Sequence, residues 1–474
     1  MMDLAFTEVG VQPVDPDRFL SLLDDAGDAE QAARASAQLA GRTVWNVNST
    51  SQGGGVAEML SALLPTVLGT RIDARWLVVH GEPAFFQFTK RLHHLLHAGP
   101  QAPVTPLEPD RHLYEAALAP AGAELGRWVK PGDVFIVHDP QPAGLIPQAK
   151  ALGAHVIWRC HVGTDDPGDA TREAWRFLLP YVSAADAIVF SRSAFIWEGL
   201  DREKVSIVHP SIDPFAVKNE ELDELTSQAI LKAIGISATG EGTEPARYPA
   251  GDGRWQPIRN QAELLQEDVV PVEAPMLVQV SRWDPLKDPL GVMEGFVRHV
   301  PRELGAHLVL AGPAVSAVSD DPEGLVVLQQ VQAAWRALEP EQRARVHVVS
   351  LPMVDAEENA AMVNALQRKA AVVIQKSLEE GFGLTVAEAM WKARPVVASR
   401  RGGIQDQIVN GVSGILLDDP RDLRAYGQAV TWLLSDREAA ARMGEAARER
   451  VRSNFLSPHH LQRWLEVVSE VTNR

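Results

Sequence analysis

Short runs of apolar, largely β-branched residues recur along the chain, and each is followed by a stretch with helical periodicity. In the first half these runs are Thr43–Asn48, Arg75–His80, Asp133–His138, His155–Cys160, Asp186–Phe190 and Val205–His209. In the second half they are Met276–Ser281, His307–Ala311, Arg345–Ser350, Ala371–Gln375, Pro395–Ser399 and Gly414–Leu417. Nearly continuous hydrophobicity is typical of strands covered by helices on both faces. The pattern therefore predicts an α/β protein with two Rossmann-like, doubly wound parallel-sheet domains.

A segment rich in Gly, Pro and polar residues, Gly235–Pro271, separates the two halves and contains a predicted tight turn at Gly251-Asp252-Gly253. We predict a linker or insertion around this segment and a domain on either side of it. The predicted divisions are an N-terminal helical extension (1–40), a first domain (41–215), the linker or insertion (216–275), a second domain (276–455) and a C-terminal helix that crosses back to the first domain (456–474).

Composition limits the kind of ligand that the protein attracts. With 46% hydrophobic and 23% charged residues, the 474-residue chain resembles a soluble globular enzyme. Lys and Arg total 45 and Asp and Glu total 62, so the net charge is 45 − 62 = −17. This acidity provides no overall attraction for nucleic acid or for an anionic membrane. An anionic substrate must therefore be held by a local cluster of cations and backbone amides.

The single cysteine, Cys160, excludes a disulfide within the chain and any site built from several cysteines. The first residues include early acids and no cationic segment followed by an apolar run, so we expect no signal peptide. No run approaches the length that spans a bilayer. The expected location is the cytoplasm, and a homodimer is one candidate oligomeric state.

A glycine-rich loop follows the first predicted strand of the first domain. Gly53, Gly54 and Gly55 lie between this strand and a helix. Glycines allow a ligand to approach the backbone closely, and a helix N-terminus presents free N–H groups to phosphates and polar sugars. The alternative interpretation is a simple tight strand–helix turn.

Two cations follow the first strand of the second domain. Arg282 and Lys287 lie in a proline-containing loop at the carboxyl end of this strand, the edge at which open α/β sheets bind ligands. Arg provides a planar fork and Lys a compact charge, which together suit a diphosphate. The alternative is surface ion pairing with Asp284 and Asp288.

The most informative segment is Glu380-Gly-Phe-Gly-Leu-Thr-Val-Ala-Glu388, which has seven residues between its two glutamates. It follows a predicted strand and leads into a helix beginning near Leu384. The amides of Gly381, Phe382, Gly383 and Leu384 are at the N-terminus of that helix, where they can bind ligand oxygens. A carboxylate that accepts hydrogen bonds from neighbouring hydroxyls suits a sugar or ribose. Capping of the helix by acidic residues is the alternative.

With these segments the chain resembles the retaining glycosyltransferases of group 1, also called family 4, which have the two-domain GT-B fold with a cleft between the domains. The two glutamates, the Arg–Lys pair, Gly402-Gly403-Ile404 and the turn from Asn410 to Gly414 carry this resemblance. Within that group it is similar to the trehalose glycosyltransferring synthases. The segments that carry this narrower resemblance are Trp45–Thr50, Gly53–Leu60, Asp73–Trp76, His138–Gly144, Trp158–His161 and Val280–Lys287.

The resemblance implies transfer of glucose, with retention and reversibly, from a nucleoside-diphosphate glucose to glucose to form trehalose. The implied catalytic residues are Arg282, Lys287, Glu380, Asp139 and His161. The implied donor-binding residues are Gly54, Gly55, Gly381, Phe382, Gly383, Leu384 and Glu388. The implied acceptor-binding residues are His138, Asp139 and Gln141.

Specific roles also follow from the resemblance. Arg282 and Lys287 would stabilise the leaving diphosphate, Glu388 would bind the ribose, and Glu380 would hold the donor glucose. We do not assign the two glutamates the acid and nucleophile roles of a glycoside hydrolase, because a departing diphosphate needs charge stabilisation more than protonation. We expect no cofactor and no metal site.

Several alternatives remain at the level of sequence. A trehalose phosphorylase would use inorganic phosphate in place of a nucleotide. A family 4 enzyme could use another acceptor, such as an amino-sugar. A catalytically inactive sugar-binding protein is disfavoured by the presence of Arg282, Lys287, Glu380 and Glu388. The sequence does not distinguish ADP-glucose, UDP-glucose and GDP-glucose as donors, because scattered loop contacts recognise the base.

Overall fold

The structure is a computed structural model, and it describes residues 5–17, 22, 34, 36–51, 55–237, 245–314 and 322–473. The chain divides into two compact units. The first consists of Met1–Ser211 together with Leu456–Arg474, and the second is Ile212–Phe455.

The first unit contains a seven-stranded sheet with the order β1-β3-β2-β4-β5-β6-β7. Its strands are β1 (Phe6–Val9), β2 (Thr43–Asn48), β3 (Asp73–Val79), β4 (Val134–His138), β5 (His155–Cys160), β6 (Ala187–Phe190) and β7 (Val205–Ile207). Its first helices are α1 (Gly55–Gly69), α2 (Pro83–Leu96), α3 (Arg111–Trp128), α4 (Ile146–Ala151) and α5 (Asp169–Val182). All pairings are parallel except that of β1 with β3.

The second unit contains another seven-stranded sheet and a two-stranded hairpin. Its strands are β8 (Arg247–Pro249), β9 (Trp255–Pro257), β10 (Glu263–Leu265), β11 (Met276–Val280), β12 (His307–Pro313), β13 (Val346–Leu351), β14 (Ala370–Gln375), β15 (Val396–Ser399) and β16 (Ile415–Leu417). The sheet order is β10-β13-β12-β11-β14-β15-β16, and only β10 runs antiparallel to its neighbour.

Helices cover the second sheet, and one more helix follows this unit. Those of the second unit are α6 (Glu224–Ala233), α7 (Pro289–His299), α8 (Pro322–Arg336), α9 (Pro340–Arg343), α10 (Ala356–Lys369), α11 (Leu384–Trp391), α12 (Ile404–Gln407), α13 (Leu423–Ser435) and α14 (Arg437–Asn454). The last helix, α15 (Ser457–Asn473), belongs to the first unit.

Strand β4 shows why the predicted strands are apolar along their whole length. Phe135 and Val137 face an apolar cluster with α2, α3 and α5, whereas Val134 and Ile136 face a cluster with α1 and α15. Both faces of the strand are therefore buried, as the continuous hydrophobic runs predict. The prediction of two parallel-sheet α/β domains is confirmed, and each predicted run forms a strand.

The N-terminal extension differs from its prediction where the structure describes it. Phe6–Val9 forms strand β1, which pairs with β3 and buries Phe6. A four-residue edge strand is determined by its neighbour rather than by local propensity, so sequence periodicity did not indicate it. Most of residues 18–33, part of the predicted helix, lie outside the described residues.

Residues 216–275, predicted as a linker or insertion, fall in the second unit. They contain α6, the β8–β9 hairpin and β10, which extends the sheet beside β13. The predicted turn at Gly251-Asp252-Gly253 connects β8 to β9, and Gly253 has the positive φ of 79° that such a turn accommodates in glycine.

Helix α15 packs against α1 on one face of the first sheet. Leu461, Trp464 and Leu465 share an apolar cluster with Leu60 and Leu64 of α1. None of the helices in the described part of the chain is long and apolar enough to cross a bilayer.

Candidate active site

An ion pair links two of the predicted site residues in the second unit. Lys287 ends a 3-10 turn after β11, and Glu380 lies in the loop after β14. Because β11 and β14 are adjacent parallel strands, their carboxyl ends meet at one edge of the sheet. There the Lys287 Nζ lies 2.6 Å from the Glu380 Oε2, and both side chains are largely buried.

Besides Lys287, two groups from β14 and the loop after it hold the Glu380 carboxylate. Ser377 Oγ donates to Glu380 Oε2 at 3.1 Å, and Gln375 Nε2 lies 3.4 Å from the same oxygen. Burial by itself raises the pKa of Glu380, but the charge of Lys287 and these hydrogen bonds outweigh it and lower the pKa below its ordinary value. The carboxylate is therefore ionised and oriented before any ligand binds.

The loop after Glu380 packs closely against a second glycine turn. Gly402 has a φ of 50°, and a Cβ on it would lie 1.6 Å from the carbonyl oxygen of Glu380. Gly403 N donates to the carbonyl oxygen of Gly381 at 2.9 Å. Gly383, with a φ of 81°, is the N-cap of α11, which begins at Leu384 as predicted. The turn thus brings the N-terminus of α11 next to Glu380.

Glu388 lies one turn into α11, and its side chain is buried. Its Oε1 is 3.5 Å from Lys218 Nζ. Its Oε2 is buried and has no hydrogen-bond partner among the residues that the structure describes. A buried carboxylate oxygen without a partner is costly, so this atom is suited to accept a hydrogen bond from a ligand.

Arg282 differs from Lys287 in its surroundings. Its side chain is 68% exposed, and Nη2 is 3.2 Å from Asp284 Oδ2. The alternative interpretation of ion pairing with Asp284 is therefore observed, but an exposed pair of this kind is weak and readily exchanged for a ligand. The other acid of this loop, Asp288, pairs instead with the buried Lys376 and caps α7.

In the first unit three predicted residues meet at the carboxyl ends of β4 and β5. Asp139 Oδ1 accepts a hydrogen bond from His161 N at 2.8 Å. His138 Nδ1 lies 3.1 Å from His161 Nε2, and the planes of the two imidazole rings differ by only 17°, with their centroids 5.4 Å apart. Asp139 has a φ of 63°, a left-handed conformation that Asp tolerates better than most residues.

These groups titrate far from their ordinary ranges. Burial raises the pKa of Asp139 to about 7, although the His161 amide and Arg159 favour its ionised form. Burial and the nearby Arg159 lower the pKa of His138 to about 3 and that of His161 well below its usual value. The imidazoles are therefore neutral at physiological pH, and Asp139 is near its midpoint. Perturbed groups clustered at a strand edge are typical of functional sites.

The remaining predicted residues differ in how deeply they are buried. Gln141 is half-buried after β4, and Gly55 is the exposed first residue of α1. Gly54 lies outside the described residues. Phe382 is buried against Phe455, so its ring contributes to packing.

Several residues at these sites were not predicted from the sequence. Lys218 Nζ lies 3.5 Å from the Glu388 carboxylate, and Lys392 Nζ donates to the backbone carbonyl oxygen of Glu388 at 3.1 Å. Burial lowers the pKa of Lys392 to about 7. In the first unit, Asn46 contacts His138 and the buried Arg159 lies near it. The lysines lie outside the recognisable motifs, whereas Asn46 and Arg159 lie within the segments Trp45–Thr50 and Trp158–His161, where the apolar pattern indicates only strands.

No group of three or more His, Cys, Asp or Glu side chains is placed to bind a metal in the described ranges. Cys160 is fully buried. Burial raises the pKa of its thiol well above the usual range.

Comparison with known proteins identifies the family. Residues 46–197 match the family described as trehalose synthase, N-terminal domain, and residues 260–450 match glycosyl transferases group 1. The trehalose synthase of Pyrococcus horikoshii is 35% identical over 436 residues, which are 92% of this chain and 91% of that protein. The chain belongs to the trehalose synthase family of group 1 glycosyl transferases. It is a hexosyltransferase, and its chemistry is glycosyl transfer related to trehalose.

Two further comparisons place this family among its neighbours. The trehalose phosphorylase of Pleurotus pulmonarius is 26% identical over 443 residues, which are 88% of this chain but only 56% of that longer protein. A solved structure described as "Trehalose-6-phosphate from E. coli bound with UDP-2-fluoro glucose" has a TM-score of 0.66 and 11% identity, and covers 91% of this chain and 99% of that chain. At this identity the likeness shows the GT-B fold, which confirms the predicted fold.

Proposed function

We propose that the enzyme transfers glucose from a nucleoside-diphosphate glucose to glucose, forming trehalose reversibly and with retention of configuration. Two observations support this proposal: the family of the chain and the two clusters of polar residues described above. The cluster in the second unit would bind the nucleotide-sugar, and the cluster in the first unit would bind the acceptor.

The observation that carries this proposal is the unpartnered Oε2 of Glu388. A buried carboxylate oxygen at this position requires a hydrogen-bond donor, and the hydroxyls of a ribose supply donors. Lys218 compensates part of the charge from the side of Oε1 at 3.5 Å, which leaves Oε2 for the ligand. Inorganic phosphate at neutral pH is mainly an acceptor and would be repelled by this carboxylate.

Two cations would hold the diphosphate, and each would contribute in a different way. Lys287 is already paired with Glu380, so its positive charge is fixed in the loop before the ligand binds. Arg282 is exposed and weakly paired, so its guanidinium can leave Asp284 and bind phosphate oxygens in a bidentate manner. Positive charge aimed at a leaving group as it becomes more negative is a strong source of catalysis.

Glu380 would hold the donor glucose together with the amides from Gly381 to Leu384. Its carboxylate is ionised and fixed by Lys287 and Ser377, which suits hydrogen bonds to sugar hydroxyls. On the acceptor side, Asp139 and Gln141 would bind glucose hydroxyls, and His161 would lie close to the reacting carbon. The leaving phosphate oxygen would take the acceptor proton on the same face of the sugar.

The test is product analysis with purified enzyme and a panel of donors. ADP-glucose, UDP-glucose and GDP-glucose are each incubated with glucose, and trehalose and its anomeric configuration are measured by NMR. In the reverse direction, trehalose is offered with each nucleoside diphosphate or with phosphate alone. Trehalose formed from at least one nucleotide-sugar, together with nucleotide-dependent cleavage, supports the proposal.

The relatives named as trehalose phosphorylases make phosphate-dependent cleavage the main alternative. Cleavage of trehalose by phosphate alone would overturn our choice. Transfer to an amino-sugar in preference to glucose would retain the donor half of the proposal and refute the acceptor. The Glu388→Gln variant serves as a control, because its activity should fall in every nucleotide-dependent reaction.

A further inference from the structure

A chain of polar side chains runs through the first unit behind His161. Asn46 on β2, His138 at the end of β4 and His161 after β5 come from adjacent parallel strands. Asn46 Oδ1 lies 3.1 Å from His138 Nε2, and His138 Nδ1 lies 3.1 Å from His161 Nε2. Asn46 and His138 are 5% and 2% exposed, so they are nearly inaccessible to a substrate.

The proton positions follow from the nature of each partner. The Asn46 Oδ1 is an acceptor only, so His138 must carry its proton on Nε2 and donate it. A neutral imidazole has one N–H, so His138 Nδ1 is then an acceptor. His161 must therefore carry its proton on Nε2 and donate it to His138. As a result, His161 Nδ1 keeps its lone pair.

The electrostatic surroundings keep both rings neutral. Arg159 on β5 is fully buried, and its positive charge opposes protonation of His138 and His161. His460 on α15 adds no charge, because Trp464 Nε1 donates to its Nε2 at 2.8 Å and its Nδ1 binds the His209 carbonyl oxygen at 2.7 Å.

Asp139, the other ionisable group at this edge, accepts its hydrogen bond from the His161 backbone and not from either ring. The rings are thus linked to each other and to Asn46 alone among the described side chains.

We propose that Asn46 and His138 are positioning residues that hold His161 neutral with its proton on Nε2, so that Nδ1 accepts a hydrogen bond from a hydroxyl of the bound sugar. His138, predicted to contact the acceptor, acts in this proposal through His161, since both of its ring nitrogens are engaged. The use of Nδ1 rests on the proposed function, whereas the tautomer itself does not.

Nitrogen NMR tests the tautomer without any substrate. Enzyme labelled with [15N]histidine is examined by long-range proton–nitrogen correlation at pH 7.5, and the His161 signals are assigned by their loss in His161→Gln. We expect a protonated Nε2 and an unprotonated Nδ1 at His161. A proton on Nδ1, or a doubly protonated ring, would overturn the proposal.

Variants of Asn46 test the origin of the tautomer. In Asn46→Asp the carboxylate still only accepts, so the tautomer is kept, and its charge raises the pKa of the coupled histidines. The acid limb of the pH profile of kcat/KM should then move to higher pH. In Asn46→Leu the acceptor is lost, and we expect signals of both tautomers at His161. Because His161 Nδ1 would then accept from the bound sugar in only part of the molecules, we also expect kcat/KM to fall, by about tenfold at most, the size of one lost hydrogen bond.

Asn48 provides a matched control on the same strand. It is equally buried, but its Oδ1 accepts from Trp76 Nε1 at 2.8 Å, outside the chain of histidines. Asn48→Asp should leave the His161 tautomer and the acid limb unchanged. An equal shift in Asn48→Asp and Asn46→Asp would refute the proposed path.

The outcomes separate this proposal from the proposed function. If no nucleotide-sugar supports trehalose formation but the His161 tautomer is as expected, the proposed function fails and the positioning role remains. If trehalose forms but Asn46→Asp reverses the tautomer, the amide of Asn46 is a donor to His138 and the positioning proposal fails. The wild-type spectrum decides the tautomer even where Asn46→Leu does not fold.

Discussion

Replacement of Lys287 by Met tests whether the ion pair with Glu380 is a buried, fixed element of the site. The two charged atoms are 2.6 Å apart, and the side chains are only 17% and 9% exposed. At an effective dielectric constant of about 20 the Coulomb attraction over this distance is about 6 kcal/mol. Desolvation of both ions opposes this attraction, but Lys287→Met leaves the carboxylate buried and unpaired. The expected loss of stability is therefore about 3 kcal/mol, at the lower end for buried pairs because Ser377 and Gln375 still bind Glu380.

The assay must report on the second unit by itself, because a chain with two compact units is not expected to unfold in a single step. Hydrogen exchange measured by mass spectrometry on peptides covering β11 and β14 reads the opening free energy of this sheet. A loss of about 3 kcal/mol accelerates exchange there by about a hundredfold. Peptides covering β4, in the first unit, provide the internal reference.

Arg282→Met is the matched control, since it removes a cation from the same loop. Its side chain is 68% exposed, so the expected change is below about 1 kcal/mol. The double variant Lys287→Met, Glu380→Gln removes both charges and should recover most of the lost protection. If Lys287→Met accelerates exchange no more than Arg282→Met does, the pair is not a buried structural element and our reasoning is wrong.

The same variant should reverse the pH dependence contributed by Glu380. In the wild type the folded-state pKa lies below the ordinary 4.5, so the stabilisation is present above that value and is lost as pH falls through the folded pKa. Without Lys287, burial raises the folded-state pKa above 4.5, and the carboxylate destabilises the fold as pH rises. The loss of stability caused by Lys287→Met should therefore be smaller at pH 5 than at pH 8.

Three further predictions follow from the site. Glu388→Gln should weaken nucleoside-diphosphate binding by about tenfold or more, measured by calorimetry, and unchanged affinity would remove the ribose role from this residue. Asp139 has a raised folded-state pKa of about 7, so its stabilising contribution is complete below about pH 4 and is lost as pH rises through 7. Asp139→Asn should thus gain thermal stability relative to the wild type between pH 4 and pH 8, and a constant difference in Tm would contradict the assignment. Treatment with EDTA followed by desalting should leave kcat/KM unchanged, whereas a loss restored by a divalent cation would show that catalysis requires a metal.

Much of the fold was predictable because buried parallel strands have a strong local signature. The apolar runs that became β4, β5, β11 and β14 are each bounded by polar residues and followed by helical periodicity. The motif around Glu380 and Glu388 also indicated its own local structure, a loop and a helix N-terminus at Leu384. By contrast β1 and β10 are short edge strands, and each forms because a neighbouring strand offers unpaired backbone groups.

The amino-acid sequence by itself determined the order of strands and helices, the local positive loop in an acidic chain and the residue types at the strand ends, because these depend on neighbouring residues. Only the tertiary structure decided which side chains meet. Lys287 and Glu380 are 93 residues apart, and Asn46 and His138 are 92 residues apart, yet each pair is in contact. These contacts exist because parallel strands bring the ends of distant segments to one edge of a sheet. Burial there then sets the charge state of each group, which sequence spacing does not encode.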